Sequence, residues 1–349
     1  SADGTPSSVQ VTITGSNDAA TVSSASVTLS ETDAALSTGG TLTATDVDNT
    51  DNVFQPASIN GTYGTFTIDA AGAWTFVANS AFNELNVGNS YTETFAVKSA
   101  DGTPSSVQVT ITGSNDIAII TGTATGSVVE AGGLANASLG TPSVAGVLSV
   151  TDADTGQSSF ATPASLAGTY GTFTFNKASG VWSYTLDNSK AATQALTTGQ
   201  EVHDTLSVTS LDGTASQTID VTVTGANDAP TIGTPQITVS VSEEGLSGGI
   251  IDTTGNPDST DATGSLGNLV FNDIDSTKLS VSLTAPTETL TSGGQSIIWT
   301  SSTDSSGNAL LVGHIGSATG AAVLTVTCDT AGHYTVSLEK PIDHAYQGE

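Results

Sequence analysis

The chain is a succession of short stretches in which apolar and polar residues alternate, each closed by Gly, Asn or Asp. Residues 26–29, 41–45, 65–68, 74–77, 93–98 and 107–112 are of this kind and are rich in Thr, Val, Ile and aromatics. Side chains two apart in a strand share a face, so the alternation predicts strands with one buried side. β-Branched and aromatic residues suit such a pleated, half-buried surface. Asp69-Ala-Ala-Gly72 reads as the tight turn of a hairpin leading into Trp74. Helical periodicity is absent over any useful length; residues 82–87 and 191–197 have room for one turn each. Short strands separated by regularly spaced turns predict an all-β chain of Ig-like antiparallel β-sandwiches.

The pattern repeats. SADGTPSSVQVTITGSND occupies residues 1–18 and recurs unchanged at 99–116, and a looser copy, SLDGTASQTIDVTVTGAND, occupies 210–228. GTYGTFT recurs at Gly61 and Gly168, and Trp74 finds its counterpart in Trp182. A fixed phrase at a long period marks a tandem array. Residues 1–18 read as the closing turn and strand of a preceding repeat, 19–116 and 117–228 as complete units, and 229–349 as a longer, divergent unit without its closing phrase. That last unit keeps Val239-Ser-Val-Ser-Glu243-Glu244 and Asn272-Asp273-Ile274-Asp275, then gains a Ser-, Gly- and Thr-rich insertion. The alternating residues 9–13 want a sheet edge. Lacking their parent sandwich, they are expected to be poorly ordered or paired with a foreign edge.

Charge narrows the possible functions. The net charge is −29, and the five basic residues are all lysine. Phosphate neutralisation needs a basic surface, which excludes nucleic acid and disfavours an anionic membrane. No apolar run is long enough to insert into a bilayer. Cys328 is the one cysteine, so an internal disulfide is excluded and a small core residue is expected. The four histidines, His203, His314, His333 and His344, are scattered, with no zinc-ligand spacing. Ser and Asp are so frequent that a triad drawn through them carries no information, and the tryptophans at equivalent strand positions read as core. The chain is expected not to be an enzyme.

Acidic residues, in contrast, recur in register. A Glu follows the first strand of each unit (Glu31, Glu130, and Glu243 or Glu244), and a D-x-D follows the second (Asp46/Asp48, Asp152/Asp154, Asp273/Asp275). An Asp-Gly turn precedes the last strand (Asp3, Asp101, Asp212), and an Asn-Asp pair closes the unit (Asn17-Asp18, Asn115-Asp116, Asn227-Asp228). In an extended segment D-x-D would aim two carboxylates at one point. A sandwich traced strand by strand puts D-x-D and Asp-Gly at the leading end of a unit and the Glu at its trailing end, so all four elements meet at each junction. Calcium takes six to eight hard oxygens, which such a cluster can supply. The first junction is expected to use Glu31, Asn115, Asp116, Asp152, Asp154 and Asp212. The second is expected to use Glu130, Asn227, Asp228, Asp273 and Asp275, more weakly because its Asp-Gly partner is missing. Asn17, Asp18, Asp46, Asp48 and Asp101 form the corresponding set at the start of unit one.

Residues 97–106, VKSADGTPSS, resemble the A-x-D-x-G-x-P phrase of cadherin repeats, with one fewer residue before the Gly. The Glu, D-x-D and terminal Asn-Asp likewise resemble cadherin calcium motifs. T-x-T-G-x-N-D ending units of about a hundred residues is similar to the VCBS and cadherin-like repeats of bacterial type I-secreted (RTX-type) adhesins, and residues 334–344 resemble a longer repeat of the same adhesins. The resemblance implies an elongated rod of calcium-stiffened extender domains in an extracellular bacterial surface protein. Its partners would be neighbouring repeats of the same chain and distal ligand-binding domains outside this segment. Two rival readings are a carbohydrate- or ligand-binding module in unit three and an accessory region of an extracellular hydrolase.

Overall fold

The computed structural model describes residues 2–48, 52–233, 238–249, 262–264, 268–276 and 279–343. In unit one the strands are β1 (Thr21–Val22), β2 (Ala25–Ser30), β3 (Ser37–Thr41), β4 (Ala44–Thr45), β5 (Ala57–Asn60), β6 (Gly64–Ile68), β7 (Ala73–Ala78), β8 (Ser90–Lys98) and β9 (Pro104–Thr112). One sheet has the order β3-β7-β6-β5 and faces a second of order β2-β9-β8. Along β9 the inward Val107, Val109 and Ile111 are buried while the residues between them are not, as period-two alternation requires. Phe66, Phe76, Phe95 and Trp74 fill the space between the sheets, with Phe66 and Phe95 stacked at 4.8 Å. On outer faces, hydroxyl pairs such as Thr67–Thr75 (2.7 Å) and Thr92–Thr110 (3.2 Å) tie neighbouring strands.

Unit two repeats the plan with β10 (Ile119–Gly122), β11 (Thr125–Val129), β12 (Ser143–Thr151), β13 (Gly171–Phe175), β14 (Val181–Leu186), β15 (Glu201–Thr209) and β16 (Ser216–Thr224). Its sheets order as β10-β12-β14-β13 and β11-β16-β15. The expected antiparallel sandwich forms, with one addition: β2 runs parallel to β9, and β11 parallel to β16. β2 and β11 therefore point toward the same end of their units as the closing strands, and Glu31 and Glu130, which follow them, lie beside the linker that leaves the unit. Trp74 and Trp182 are core residues, 5% and 0% exposed. Cys328 is buried as expected. Of the two expected helical turns, residues 191–197 form α1 (Ala191–Gln194), whereas residues 82–87 form none.

Unit three carries a sheet in which Thr263–Gly264, Tyr334–Leu338, Ala322–Cys328, Ala309–Ile315, Gln295–Thr303 and Thr291–Ser292 follow in that order, and a short ladder of Thr231–Ile232 with Phe271–Asn272. A hairpin closes at Asp329, Ala331 N donating to Asp329 Oδ1 at 2.9 Å. Val239-Ser-Val-Ser has no ladder partner among the described residues, and Glu243–Gly245 form a 3-10 turn. His344 lies outside the described residues. Residues 2–17 carry no strand, and Val9, Val11 and Ile13 are exposed at 88%, 76% and 90%. The same residues in the second copy form β9 and are buried, so the sandwich around the phrase, rather than its own sequence, makes it a strand.

The GTYGTFT motif acquires a physical reason. Asp204, 3% exposed on β15, accepts hydrogen bonds from the backbone N–H groups of Thr169 (2.8 Å), Tyr170 (2.9 Å) and Gly171 (3.1 Å), and from the Tyr184 hydroxyl (2.6 Å). Burial and that hydrogen bond push the Tyr184 phenol up. A Cβ on Gly168 would sit 2.2 Å from Asp204 Oδ2, so glycine is required for the loop to wrap the carboxylate. Glu93 does the same for unit one, accepting from Thr62 N (2.7 Å) and Tyr63 N (3.1 Å) beside Gly61.

Candidate metal centre

Each unit begins where an Asn-Asp linker meets a D-x-D bend, and one hydrogen-bond scheme is used three times. The Asn side chain donates to the carbonyl of the Asp that follows it: Asn17 to Asp18 O (2.8 Å), Asn115 to Asp116 O (2.8 Å), Asn227 to Asp228 O (2.6 Å). The N–H of that Asp donates to the second carboxylate of D-x-D: Asp18 to Asp48 (3.0 Å), Asp116 to Asp154 (3.0 Å), Asp228 to Asp275 (3.1 Å). Within D-x-D the second N–H donates to the first side chain, as in Asp48 to Asp46 (3.1 Å), Asp154 to Asp152 (2.9 Å) and Asp275 to Asp273 (3.3 Å). The motif is therefore an Asx turn, not the extended pair expected from the sequence. Its first Asp fixes the bend and its second faces the linker.

At the first junction a third carboxylate arrives from the opposite side. Glu31 follows β2 at the trailing end of unit one, its N–H donates to Thr112 O (2.9 Å), and its Oε1 accepts from Ser114 N (2.7 Å). Glu31, Asp116 and Asp154 bring carboxylate oxygens within 4.8 Å of one another, the one such group among the described residues. Glu31 and Asp154 are 4% and 2% exposed. Glu31 Oε2, Asp116 Oδ2, Asp152 Oδ2 and Asp154 Oδ1 are buried oxygens without a hydrogen-bond partner. Buried carboxylate oxygens are costly to leave bare. The electrostatics agree: burial, then Asp116, Asp154 and Glu84, push the Glu31 carboxyl up against the pull of the Ser114 N–H. Burial, then Asp154, Asp33 and Asp152, push Asp116 up. These are hard oxygens of the kind that could hold a metal ion such as calcium.

The Asp-Gly carboxylates are used differently. Asp212 Oδ2 accepts from the Asn115 amide (2.9 Å) and Oδ1 from Thr214 N (3.2 Å). Burial raises Asp212, but hydrogen bonds from Ser210, Thr214 and Asn115 outweigh it and hold it below the usual carboxylate range. Asp101 is likewise held low by the Ser99 and Thr103 hydroxyls and the Ala20 N–H (3.1 Å). Both act as latches on a linker. One contact between units has no recurring sequence signal: Thr155 donates through N (3.2 Å) and Oγ1 (2.8 Å) to Glu84 O, and Asn86 Nδ2 donates to Thr155 O (3.2 Å).

At the second junction Glu130, Asp228 and Asp275 occupy the corresponding places, all buried. Glu130 differs in having both oxygens engaged, Oε1 by Gln194 Nε2 (3.1 Å) and Oε2 by Ala226 N (3.2 Å). Burial, opposed by the Ala226 N–H and aided by Asp228 and Asp275, pushes Glu130 up to about 7. Burial likewise raises Asp228 and Asp275. The folded state thus holds a proton on Glu130 that the unfolded chain, with an ordinary value of 4.5, releases earlier. This contribution is fully present below that value and is lost as pH rises through about 7. In chelator, the melting temperature is expected to fall between pH 5 and pH 8, and Glu130→Gln should flatten the fall. An unchanged slope in that variant would remove Glu130 as its cause.

The bacterial cadherin-like domain matches residues 17–113 and again residues 115–225. Among solved structures, the chain resembles protocadherin gammaB7 EC3-6 (16% identity, TM-score 0.36, covering 94% of this chain and 67% of that one). It also resembles the protocadherin gammaB4 extracellular domain (16%, 0.34, 95% and 46%) and mouse cadherin-23 EC22-24 (11%, 0.34, 93% and 90%). The chain thus spans less than half of the second of these. No curated protein matches it.

Proposed function

This chain belongs to the bacterial cadherin-like domain family, and on that premise we propose that its units are calcium-rigidified spacers of a large secreted bacterial adhesin, supporting attachment or biofilm formation. Domains of this family are extracellular adhesion or extender modules and generally not enzymes. No helix among the described residues is long and apolar enough to cross a membrane. The observation that carries the proposal is the set of four buried, unpartnered carboxylate oxygens at the first junction.

Glu31 belongs to unit one, Asp116 to the linker, and Asp152 and Asp154 to unit two, so a ligand shared by them spans the boundary. Calcium, when bound, supplies two positive charges to this group. Asp152 holds the bend that presents Asp154, while Asp212 and Asn115 hold the linker against unit two. Adjacent repeats and ligand-binding domains elsewhere in the protein would be the partners of such a spacer. Extracellular calcium modules bind with constants of about 10⁻⁴–10⁻³ M. Calorimetric titration of the chain with calcium should show binding in that range, and Glu31→Gln with Asp154→Asn should weaken the first-junction site at least about tenfold, one hydrogen-bond-sized loss of ligand energy. Heats unchanged by the double substitution would remove this cluster from the proposal.

A further inference from the structure

Resting on that reading, we propose that Gln194 makes the two junctions unequal by occupying the Glu130 oxygen that Glu31, its counterpart, leaves bare. The chain would then stiffen in two steps as calcium rises, the first junction before the second.

The difference lies in an insertion. Residues 32–36 separate Glu31 from β3, whereas residues 131–142 separate Glu130 from β12. The longer loop folds back on itself, Gly132 N donating to Ser138 O (3.0 Å) and Ser138 N to Gly132 O (2.8 Å). It places Asn136 beside α1. There Gln194 Nε2 donates to Asn136 Oδ1 (3.3 Å) and Asn136 Nδ2 to Gln194 Oε1 (3.4 Å). Asn188 fixes the arrangement, its Nδ2 donating to Asn136 Oδ1 (3.0 Å) and Ala131 O (2.9 Å).

This amide network aims the Gln194 Nε2–H at Glu130 Oε1. The Ala226 N–H donates to the other oxygen, so each oxygen of Glu130 already meets a donor from the protein itself. Glu31 has one donor, Ser114 N, and its Oε2 is unpartnered. Recruiting Glu130 to a cation therefore means competing with a donor at either oxygen, whereas Glu31 offers an oxygen that no donor engages. Asp228 Oδ2 and Asp275 Oδ1 remain buried and unpartnered, so the second junction keeps a reduced donor set.

The test is calcium titration of the whole chain by calorimetry. Two classes of site are expected, and Glu31→Gln should remove the tighter. Gln194→Ala should tighten the weaker class by roughly tenfold, the factor for releasing one hydrogen bond to a charged group. Gln194→Met, which keeps the side-chain bulk without the donor, should do the same and covers the case in which the alanine variant melts early. No calcium heat in any variant would overturn the proposed function itself. Calcium binding that Gln194→Ala and Gln194→Met leave unaltered would overturn only the role of Gln194.

Discussion

Asp204→Ala should destabilise unit two by about 4 kcal/mol, the scale expected when a buried carboxylate is taken from several donors. Three backbone N–H groups and the Tyr184 hydroxyl lose their acceptor at once, in a place too enclosed for water to replace it freely. For a domain of this size that loss lowers the melting temperature by roughly 20 °C. Hydrogen exchange read peptide by peptide should show unit two opening while unit one, held by its own Glu93, stays protected. Glu93 is half-buried with two donors, so Glu93→Ala should cost only about 1–2 kcal/mol. A loss below about 1 kcal/mol for Asp204→Ala would mean that the loop is held by its strand pairing alone.

The second large effect is that of calcium on shape and stability. Without a cation the first junction gathers Glu31, Asp116, Asp152 and Asp154 with Glu84 and Asp33 nearby, and their mutual repulsion opposes the interface. At a hundredfold excess over its dissociation constant, one bound ion adds about 2.7 kcal/mol to the native state. A chelator should therefore lower the melting temperature and loosen the junction, while the sandwich cores stay closed because they are built on Val, Ile, Phe and Trp.

The cores were legible because alternation is a direct imprint of the pleat: the runs around Val107, Phe66 and Trp74 lie in β9, β6 and β7. β5, Ala57–Asn60, alternates too, but over four residues with only Ala57 and Ile59 apolar, and was not anticipated. It is short and half-exposed, and its pairing with β6 does the work its own residues do not. Residues 41–45 looked like one strand but divide at Leu42 into β3 and β4, which pair with different partners. Sequence spacing cannot show a strand leaving one sheet for another. The parallel course of β2 along β9 was equally hidden, since alternation is the same in either direction.

At the junctions, recurrence identified which residues meet, but not the division of labour among them. Asp, Asn and Glu offer similar oxygens in a sequence, and only hydrogen-bond geometry separates Glu31 and Asp154, each of which keeps one oxygen open, from Asp101 and Asp212, whose oxygens are taken. Asp204 and Glu93 were missed although each shares the inward register of its strand, with Leu206 and Val208 or with Phe95 and Val97, because a lone polar residue there does not name the loop it holds. Gln194 was missed because it has no recurring counterpart, and recurrence marks only what returns.

The central claim is that calcium turns the linkers into fixed parts of their neighbours. Small-angle scattering of the whole chain, with calcium and with chelator, tests it directly. With calcium the three units should form a stiff rod of roughly 100 Å or more, from about 3.4 Å per strand residue. With chelator the maximum dimension should spread and the flexibility rise while each unit keeps its own profile. Identical scattering curves in the two conditions would contradict the account and leave an acidic spacer whose stiffness owes nothing to the ion.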